Sequence, residues 1–458
     1  CLWRHAMEGV QMGLTMESKE WAEHQFGRVM LGDMRRTRRA VKLGAAMISN
    51  SSASLPQQTG SWASTIGAYR LLNEPDVTHA RLSAPHWESV RERAAEMDCP
   101  VLFVQDMTEL NYNNHSQTSD LGFASDGKGK ALEVQSAICV SGGAVAQVLG
   151  LGYQMVWARD YEPRKKTEKR SERDARRKES DIWADVLEAI GPAPKDGPLW
   201  VSVGDRESDI FSYMDRARLL GWHCLIRARH NRKVVDSEGV TGRLFDHLRS
   251  LAALCVTGIH LRSRPGHPAR DVRLNVAWAP LAVQKPFPGK GEPLNVWGIR
   301  AWEDGPGGLE WVLLSSVEVQ NERDALEKVE WYRRRWLVEE YHKCLKTGCS
   351  MEDRQSRTRH ALEAVLGLLG IVAVFLLQLK FAEEGEVPDS LKMALSALTK
   401  RDLVKASPRE VLREIAKLGG FLARKGDGEP GWQTIWAGWN RLQDILLGIQ
   451  LILGEKCV

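Results

Sequence analysis

Two short apolar runs, each leading into an aspartate, constrain this chain more than any other feature. Val101–Val104 leads into Gln105-Asp106, and Leu199–Val203 leads into Gly204-Asp205. Runs of this length bounded by polar residues read as buried strands. Between them, Val134–Val140 and Ala144–Trp157 flank Ser141-Gly142-Gly143, which reads as a β-hairpin, and Ser180–Ile190 reads as a helix. Ser208–Ala217 then predicts a second helix and Trp222–Arg227 a further strand. The order is strand, hairpin, helix, strand, helix, strand.

That is the order of a ribonuclease-H-like α/β domain, in which the first and fourth strands lie side by side. Their carboxyl ends would bring Asp106 and Asp205 together. With 458 residues, further domains are expected around this one. Residues 17–80 predict a small helical bundle with a basic side: an amphipathic Glu17–Phe26, Asp33 as N-cap of a helix over Arg35–Ser49, a loop at Ser51–Gly60, and a helix near Thr65–Leu72. Residues 81–384 would form the ribonuclease-H-like domain that carries these strands. Within it, about 228–310 is Gly- and Pro-rich with alternating stretches such as Val272–Trp278 and Leu294–Ile299, a β-rich insertion closed by Trp311–Leu314. Residues 385–458, with Trp432, Trp436 and Trp439, predict a C-terminal helical region suited to dimerisation. Residues 1–16 open with Cys1 and are expected to be disordered or upstream sequence.

Composition narrows the class. A hydrophobic content of 43% with 27% charged residues is that of a folded globular chain. The net charge is only +4, but the charges are unevenly spread. From Arg28 to Lys42 there are six basic residues and one acidic one, with Arg35, Arg38, Arg39 and Lys42 recurring on one helical face; Arg164–Lys178 is also basic. Such faces can neutralise phosphates, although a basic run is as often a solvated surface. The eight cysteines are scattered without Cys-x-x-Cys spacing, which argues against a zinc site and a disulfide framework and fits a cytoplasmic protein. The longest charge-free apolar run, Ala364–Leu379, is shorter than the roughly 20 residues of a membrane span and predicts a buried helix.

A long helix is expected from about Glu322 to Lys346. At helical spacing Leu326, Leu337, Tyr341 and Cys344 share one side, while Tyr332, Arg335, Glu339, His342 and Lys346 fall within about 80° on the other. The second face joins a carboxylate to a phenol and cations that could hold phosphates. It also fits an exposed helix with an i,i+4 pair such as Arg335–Glu339, and either aspartate could simply cap a following helix. Two aspartates at neighbouring strand ends repel unless cations sit between them, and oxygen-only donors suit Mg²⁺.

Asp106 in Val-Gln-Asp-Met-Thr, Asp205 in Gly-Asp-Arg-Glu-Ser-Asp-Ile, and the stretch from Tyr332 through Glu339 to Lys346 resemble the bacterial cut-and-paste DDE transposases of the IS-four, Tn-five-like group. Tyr332, Arg335, Glu339 and Lys346 fit that group's Tyr-x2-Arg-x3-Glu-x6-Lys signature. Leu31-Gly-Asp-Met-Arg-Arg-Thr and Gly67-Ala-Tyr-Arg look like its end-binding domain. The resemblance implies that Asp106, Asp205 and Glu339 hold two Mg²⁺ ions, with Mn²⁺ able to substitute. It further implies cleavage at the terminal repeats of a mobile element, a hairpin intermediate, and joining of the 3′-ends to target DNA. Tyr332, Arg335 and Lys346 would grip phosphates, Arg227 would contact DNA, and Arg35, Arg36 and Arg70 would bind the ends. Trp311 matches a position whose indole stacks on a flipped base, with a core strand tryptophan as the plainer alternative. Partners would be double-stranded DNA and a second copy of the chain in a synaptic complex, acting in the bacterial cytoplasm without a membrane. A structure-specific nuclease and a non-catalytic, transposase-derived DNA-binding regulator are the competing readings.

Overall fold

In a computed structural model the chain is described over residues 18–160, 178–261, 269–286, 291–382, 387 and 389–453. Residues 1–16 and the basic run at 164–178, apart from Lys178, lie outside the described residues. The N-terminal module consists of α1 (Ser18–Phe26), α2 (Met34–Ser49), α3 (Leu55–Thr59) and α4 (Trp62–Leu72). Asp33 caps α2 by accepting the Arg35 N–H at 2.8 Å. One face of α2 buries Ala40, Val41, Leu43, Met47 and Ile48, leaving Arg35, Arg38, Arg39 and Lys42 exposed. The expected loop at 51–60 contains α3, started by a Ser54–Gln57 capping box with Pro56 in the first turn. Gly60 ends it at φ 67°, a left-handed conformation that glycine adopts without strain. Next, α5 (His79–Ala95) runs across the expected junction at residues 80–81.

The central sheet begins with β1 (Val101–Asn111), β2 (Gly122–Phe123), β3 (Lys130–Ser141) and β4 (Val148–Trp157). It continues through α6 (Ile182–Ile190), β5 (Trp200–Gly204), α7 (Phe211–Leu219) and β6 (His223–Arg227). In space the order is β4-β3-β1-β5-β6, with β3 antiparallel to both neighbours and β1, β5 and β6 parallel. This is the ribonuclease-H-like arrangement, with the first long strand beside the strand that comes after α6. One detail differs from expectation. β1 does not end at Asp106; it continues to Asn111 because β3 pairs with all eleven of its residues. β5 pairs with β1 only as far as Val104, so the second half of β1 lacks that neighbour and carries polar, half-buried side chains. Asp106 therefore sits mid-strand.

The β-rich segment comes next as β7 (Lys233–Asp236), β8 (Thr241–Arg243), α8 (Leu244–Ser250), β9 (Cys255–Leu261), β10 (Arg270–Val283), β11 (Leu294–Trp302) and β12 (Glu310–Ser315). It contains a helix, α8, that the sequence pattern did not suggest. It is also no separate layer: β12 pairs antiparallel with β6, and the strands continue β12-β11-β10-β7-β8 into one twelve-stranded sheet, with β9 on β10.

The single long helix expected over 322–346 is broken into α9 (Glu322–Arg333) and α10 (Trp336–Lys343), with a wider π turn at Cys344–Gly348 after them. At the break the backbone tightens to three-residue bonds, Arg335 N–H to Tyr332 C=O and Leu337 N–H to Arg334 C=O, both 3.0 Å. The cause lies in the β3–β4 turn. The buried Arg334 guanidinium donates to the carbonyls of Ser141 and, at 2.6 Å, Gly143, while the Trp331 indole donates to Gly142 C=O at 2.9 Å.

Beyond it, α11 (Arg359–Lys380) is long and apolar enough to cross a membrane, yet 94% of its most apolar window is buried within the protein. The C-terminal helices are α12 (Asp389–Thr399), α13 (Pro408–Leu418) and α14 (Trp432–Leu453). α13 and α14 meet where only glycine fits, since a Cβ on Gly438 would lie 1.8 Å from Ile415 O. α14 also reaches the N-terminal module: the Trp439 indole donates to Ile48 C=O at 3.3 Å, and Asn440 bonds Asn50 at 3.2 Å. Arg354 adds bonds to the carbonyls of Ser51 and Ala53.

Candidate active site

Three carboxylates come from three separate elements. Val104 is paired with Val203 across β1 and β5, so two residues further on Asp106 faces Asp205, the first residue after β5. Asp205 also acts as a cap: its Oδ1 accepts the Glu207 N–H at 2.8 Å and closes the short Arg206–Ser208 turn, a role that occupies one oxygen. The third, Glu339, is on α10. Arg335 joins two of them, with Nη1 3.3 Å from Asp106 Oδ2 and Nη2 bonded to Glu339 Oε1. Burial, opposed by Arg335 and reinforced by the negative charges of Asp205 and Glu339, pushes the Asp106 carboxyl up to about 7.

Next to this cluster lies an open groove of about 420 Å³ that gathers Arg227, Trp311, Tyr332, Arg335 and Glu339. Antiparallel pairing of β12 with β6 brings Trp311 and Arg227 to the same end of the sheet. Trp311 is half-buried and meets Tyr332 edge-on, ring centroids 5.2 Å apart. It thus belongs partly to the core, as a strand tryptophan would, and partly to the groove. Burial raises the Tyr332 hydroxyl above its usual value, opposed by the nearby Arg335 and Arg227 guanidinia. Arg227 donates to Glu310 C=O at 3.0 Å, which fixes its direction.

Four expectations about individual residues change. Lys346 does not line this groove; within the π turn its Nζ donates to Glu109 C=O at 2.6 Å and lies 3.5 Å from the Glu352 carboxylate. His342 is not on a solvated basic face. It is buried with Nε2 3.2 Å from Ser136 Oγ, and burial lowers its pKa to about 3, so it is neutral. The π turn carries Lys346 away, because a rotation of 100° per residue no longer applies there, whereas His342 is buried because its helix packs on β3. Tyr332 is mostly buried rather than projecting from a free face. Arg36 is tied to Glu74, Asp76 and Leu31 C=O as a cross-link inside the N-terminal module, whereas Arg35 and Arg70 are exposed.

Sequence reasoning passed over Asp209, the second aspartate of Gly-Asp-Arg-Glu-Ser-Asp-Ile. Its buried carboxylate accepts the N–H groups of Arg229 and His230 and the Arg232 Nε, each at 2.8 Å, tying the exit of β6 to the exit of β5. The repeated aspartate in the motif was the available signal. Trp336 and Lys343 also line the groove and were not singled out.

Among the described residues no three His, Cys, Asp or Glu side chains are grouped as a ready-made metal site, and the Arg335 guanidinium lies between two of the carboxylates. The donor chemistry nevertheless fits a divalent cation. Three oxygen ligands without sulfur or imidazole suit a hard ion such as Mg²⁺ or Mn²⁺. One guanidinium among three carboxylates leaves negative charge uncompensated, which is part of what raises Asp106.

Three family models match the chain in sequence order: Transposase DNA-binding at residues 18–77, Transposase DDE domain at 167–376, and Transposase Tn5 dimerisation domain at 378–452. The DDE match includes Asp205 and Glu339 and begins after Asp106. Among solved structures, a cryo-EM structure of a piggyBac transposase synaptic complex with hairpin DNA is similar at a TM-score of 0.37 and 9% identity, over 97% of this chain and 81% of that one. With a DNA-binding module, a DDE catalytic domain and a dimerisation domain matched in that order, the chain belongs to the Tn5-like DDE transposases.

Proposed function

We propose that the protein binds the terminal repeats of a mobile element, cuts them free through a hairpin intermediate and joins the 3′-ends to target DNA. It would act as a homodimer in a synaptic complex in the bacterial cytoplasm. One observation carries the reading: Arg335 bridges Asp106 and Glu339 while the β1–β5 register sets Asp205 alongside. Asp106, Asp205 and Glu339 are the residues that would hold divalent metal, two Mg²⁺ ions with Mn²⁺ able to replace them. When bound, such ions supply an activated attacking oxygen and stabilise the leaving oxygen of an in-line displacement.

The chain's own side chains do the rest. Arg335 is within reach of the carboxylates and grips the phosphate that comes to them, with a planar fork suited to two phosphate oxygens. Arg227 and the Tyr332 hydroxyl hold the neighbouring phosphates in the groove. Trp311, half-exposed there, offers a face for an unstacked base, and such stacking is worth about 1–3 kcal/mol per base. Lys346, anchored outside the groove, acts on DNA that passes along β1. In the N-terminal module Arg35 and Arg70 contact the phosphates of the repeat.

Glu339→Ala tests the assignment. End-bearing DNA should still be bound and shifted, while cleavage with Mg²⁺ or Mn²⁺ is lost. Nicking by the variant at the wild-type rate would remove Glu339 from the catalytic set. Supplying pre-cut ends and a supercoiled plasmid separates a transposase from a nuclease of the same fold, because the nuclease yields no joined product.

A further inference from the structure

One row of the central sheet carries three polar side chains into the face that α10 covers. Asp106 on β1 is paired directly with Ser136 on β3, and Ser136 directly with Gln154 on β4, so all three project from the same face. α10 is tied to each member of the row. Asp106 meets Arg335, which also holds Glu339; Ser136 Oγ lies 3.2 Å from His342 Nε2; and the Gln154 amide donates to the Tyr341 hydroxyl at 2.9 Å. We propose that Ser136 and Gln154 are positioning residues for strand cleavage: through His342 and Tyr341 they fix the rotation of α10, and with it the place of the Glu339 carboxylate beside Asp106. This rests on the reading of Asp106 and Glu339 as metal ligands and adds the side chains that hold one against the other.

The row is buried, and its bonds close on one another. Gln154 uses both N–H groups, one on Tyr341 and one on Ser136 Oγ at 3.0 Å, while its carbonyl oxygen accepts His79 Nε2 at 2.9 Å. Burial lowers the His79 pKa to about 4, so the ring is neutral with its proton on that nitrogen, and it sets which way the amide points. Ser136 in turn accepts from Gln154 and donates to the neutral His342. α11 leaves room for this at Gly370, where a Cβ would lie 3.1 Å from the Tyr341 hydroxyl and 3.2 Å from Gln154 Oε1. Along β3, Ser136 interrupts an apolar line of Leu132, Val134, Ile138 and Val140. Replacing both partners of a buried hydrogen bond by apolar groups of the same shape costs little stability. What the polar row adds is direction. At about 5–6 Å from a helix axis, a turn of about 10° moves a carboxylate by about 1 Å. A misplacement of that size can cost on the order of 10²-fold in rate.

The test uses the full-length protein on end-bearing DNA and compares two buried serines. Ser136→Ala removes a hydroxyl from the row. Ser202→Ala is the control: Ser202 is equally buried and also joins two side chains, Gln105 at 2.9 Å and Tyr213 at 2.6 Å, but on the opposite face, under α6 and α7. Both variants should lower the urea midpoint by similar amounts and leave end binding unchanged. Only Ser136→Ala should weaken Mn²⁺ binding to the protein–DNA complex by about tenfold, read from the electron paramagnetic resonance of free Mn²⁺, and slow cleavage at saturating Mn²⁺ about tenfold. Gln154→Leu should show the same two losses, and the double variant little more than either alone, because both changes break one row. Wild-type Mn²⁺ affinity and cleavage in Ser136→Ala, or equal losses in Ser202→Ala, would overturn the positioning role. Glu339→Ala separates this from the reading beneath it. If that variant loses Mn²⁺ binding while Ser136→Ala keeps it, the positioning role alone falls; Mn²⁺ binding retained in full by Glu339→Ala would remove the metal site and the positioning role together.

Discussion

Two helical segments, α2 and α9–α10, carry charged faces that helical spacing points toward DNA, and they obey different rules. α2 packs one face into the N-terminal module, so the exposed set Arg35, Arg38, Arg39 and Lys42 can be deduced from helical spacing alone. The α9–α10 segment is held from several sides, by the β3–β4 turn, by β3 through His342, and by α11 through the Glu340–Lys380 pair at 2.6 Å. Its polar residues are sorted by those neighbours. Spacing reveals a helix's exposed face when one side does all the packing, and fails when a break and several contacts intervene.

The largest expected effect lies on the multiply held helix. Glu339→Gln should lower cleavage by about 10³-fold or more with end binding unchanged; a loss comparable to that from Arg38→Ala on α2 would erase the contrast between the two helices. Next comes the break itself. Arg334→Ala removes a buried cation and leaves turn carbonyls unsatisfied, so it should destabilise by about 3 kcal/mol in urea denaturation, against about 0.5 kcal/mol for the neighbouring Arg333→Ala. Equal effects would mean that the turn does not hold the break.

A pH measurement sharpens the same point. His342 stays neutral in the fold, its pKa lowered to about 3 by burial and, to a lesser degree, by Lys346. The unfolded chain takes up a proton there below about pH 6.5, so this residue costs stability progressively as pH falls from about 6.5 towards 3, by up to about 1.4 kcal/mol per pH unit. His342→Asn should flatten the acid limb of the stability profile. An unchanged limb would return His342 to the solvated face. The smallest effects belong to α2. Arg35→Ala should reduce the salt slope of end binding by about 0.9, whereas Arg36→Ala should leave that slope alone and cost up to about 1 kcal/mol of stability. The opposite pattern would make Arg36 the DNA contact.

The strand order was legible because parallel strands covered on both faces are nearly continuous apolar runs, as at Val101–Val104 and Leu199–Val203, which pair in parallel. The α2 cap was legible because Asp33 precedes a clean amphipathic pattern. The continuation of β1 past Asp106 was hidden, since pairing with β3 sustains a strand whose side chains are polar. The helix break was hidden too, because nothing near Arg334 resembles a proline or glycine; its cause lies about 190 residues away, in the carbonyls of Ser141 and Gly143. Asp106, Arg335 and Glu339 could be named from their motif, but their meeting at one guanidinium depends on that distant turn. The separation of Lys346 from the others depends on the π turn, which periodicity does not encode.

The seat of the recognition module has a consequence for how such a protein diversifies. Arg354 and Trp439 hold residues 48, 51 and 53 by their main-chain oxygens, which every amino acid possesses. Side chains on α2 and α4 can therefore drift to suit a new repeat without loosening the joint. A chimaera that grafts foreign reading helices onto this catalytic body needs to match the path of the chain at those three oxygens far more than its letters.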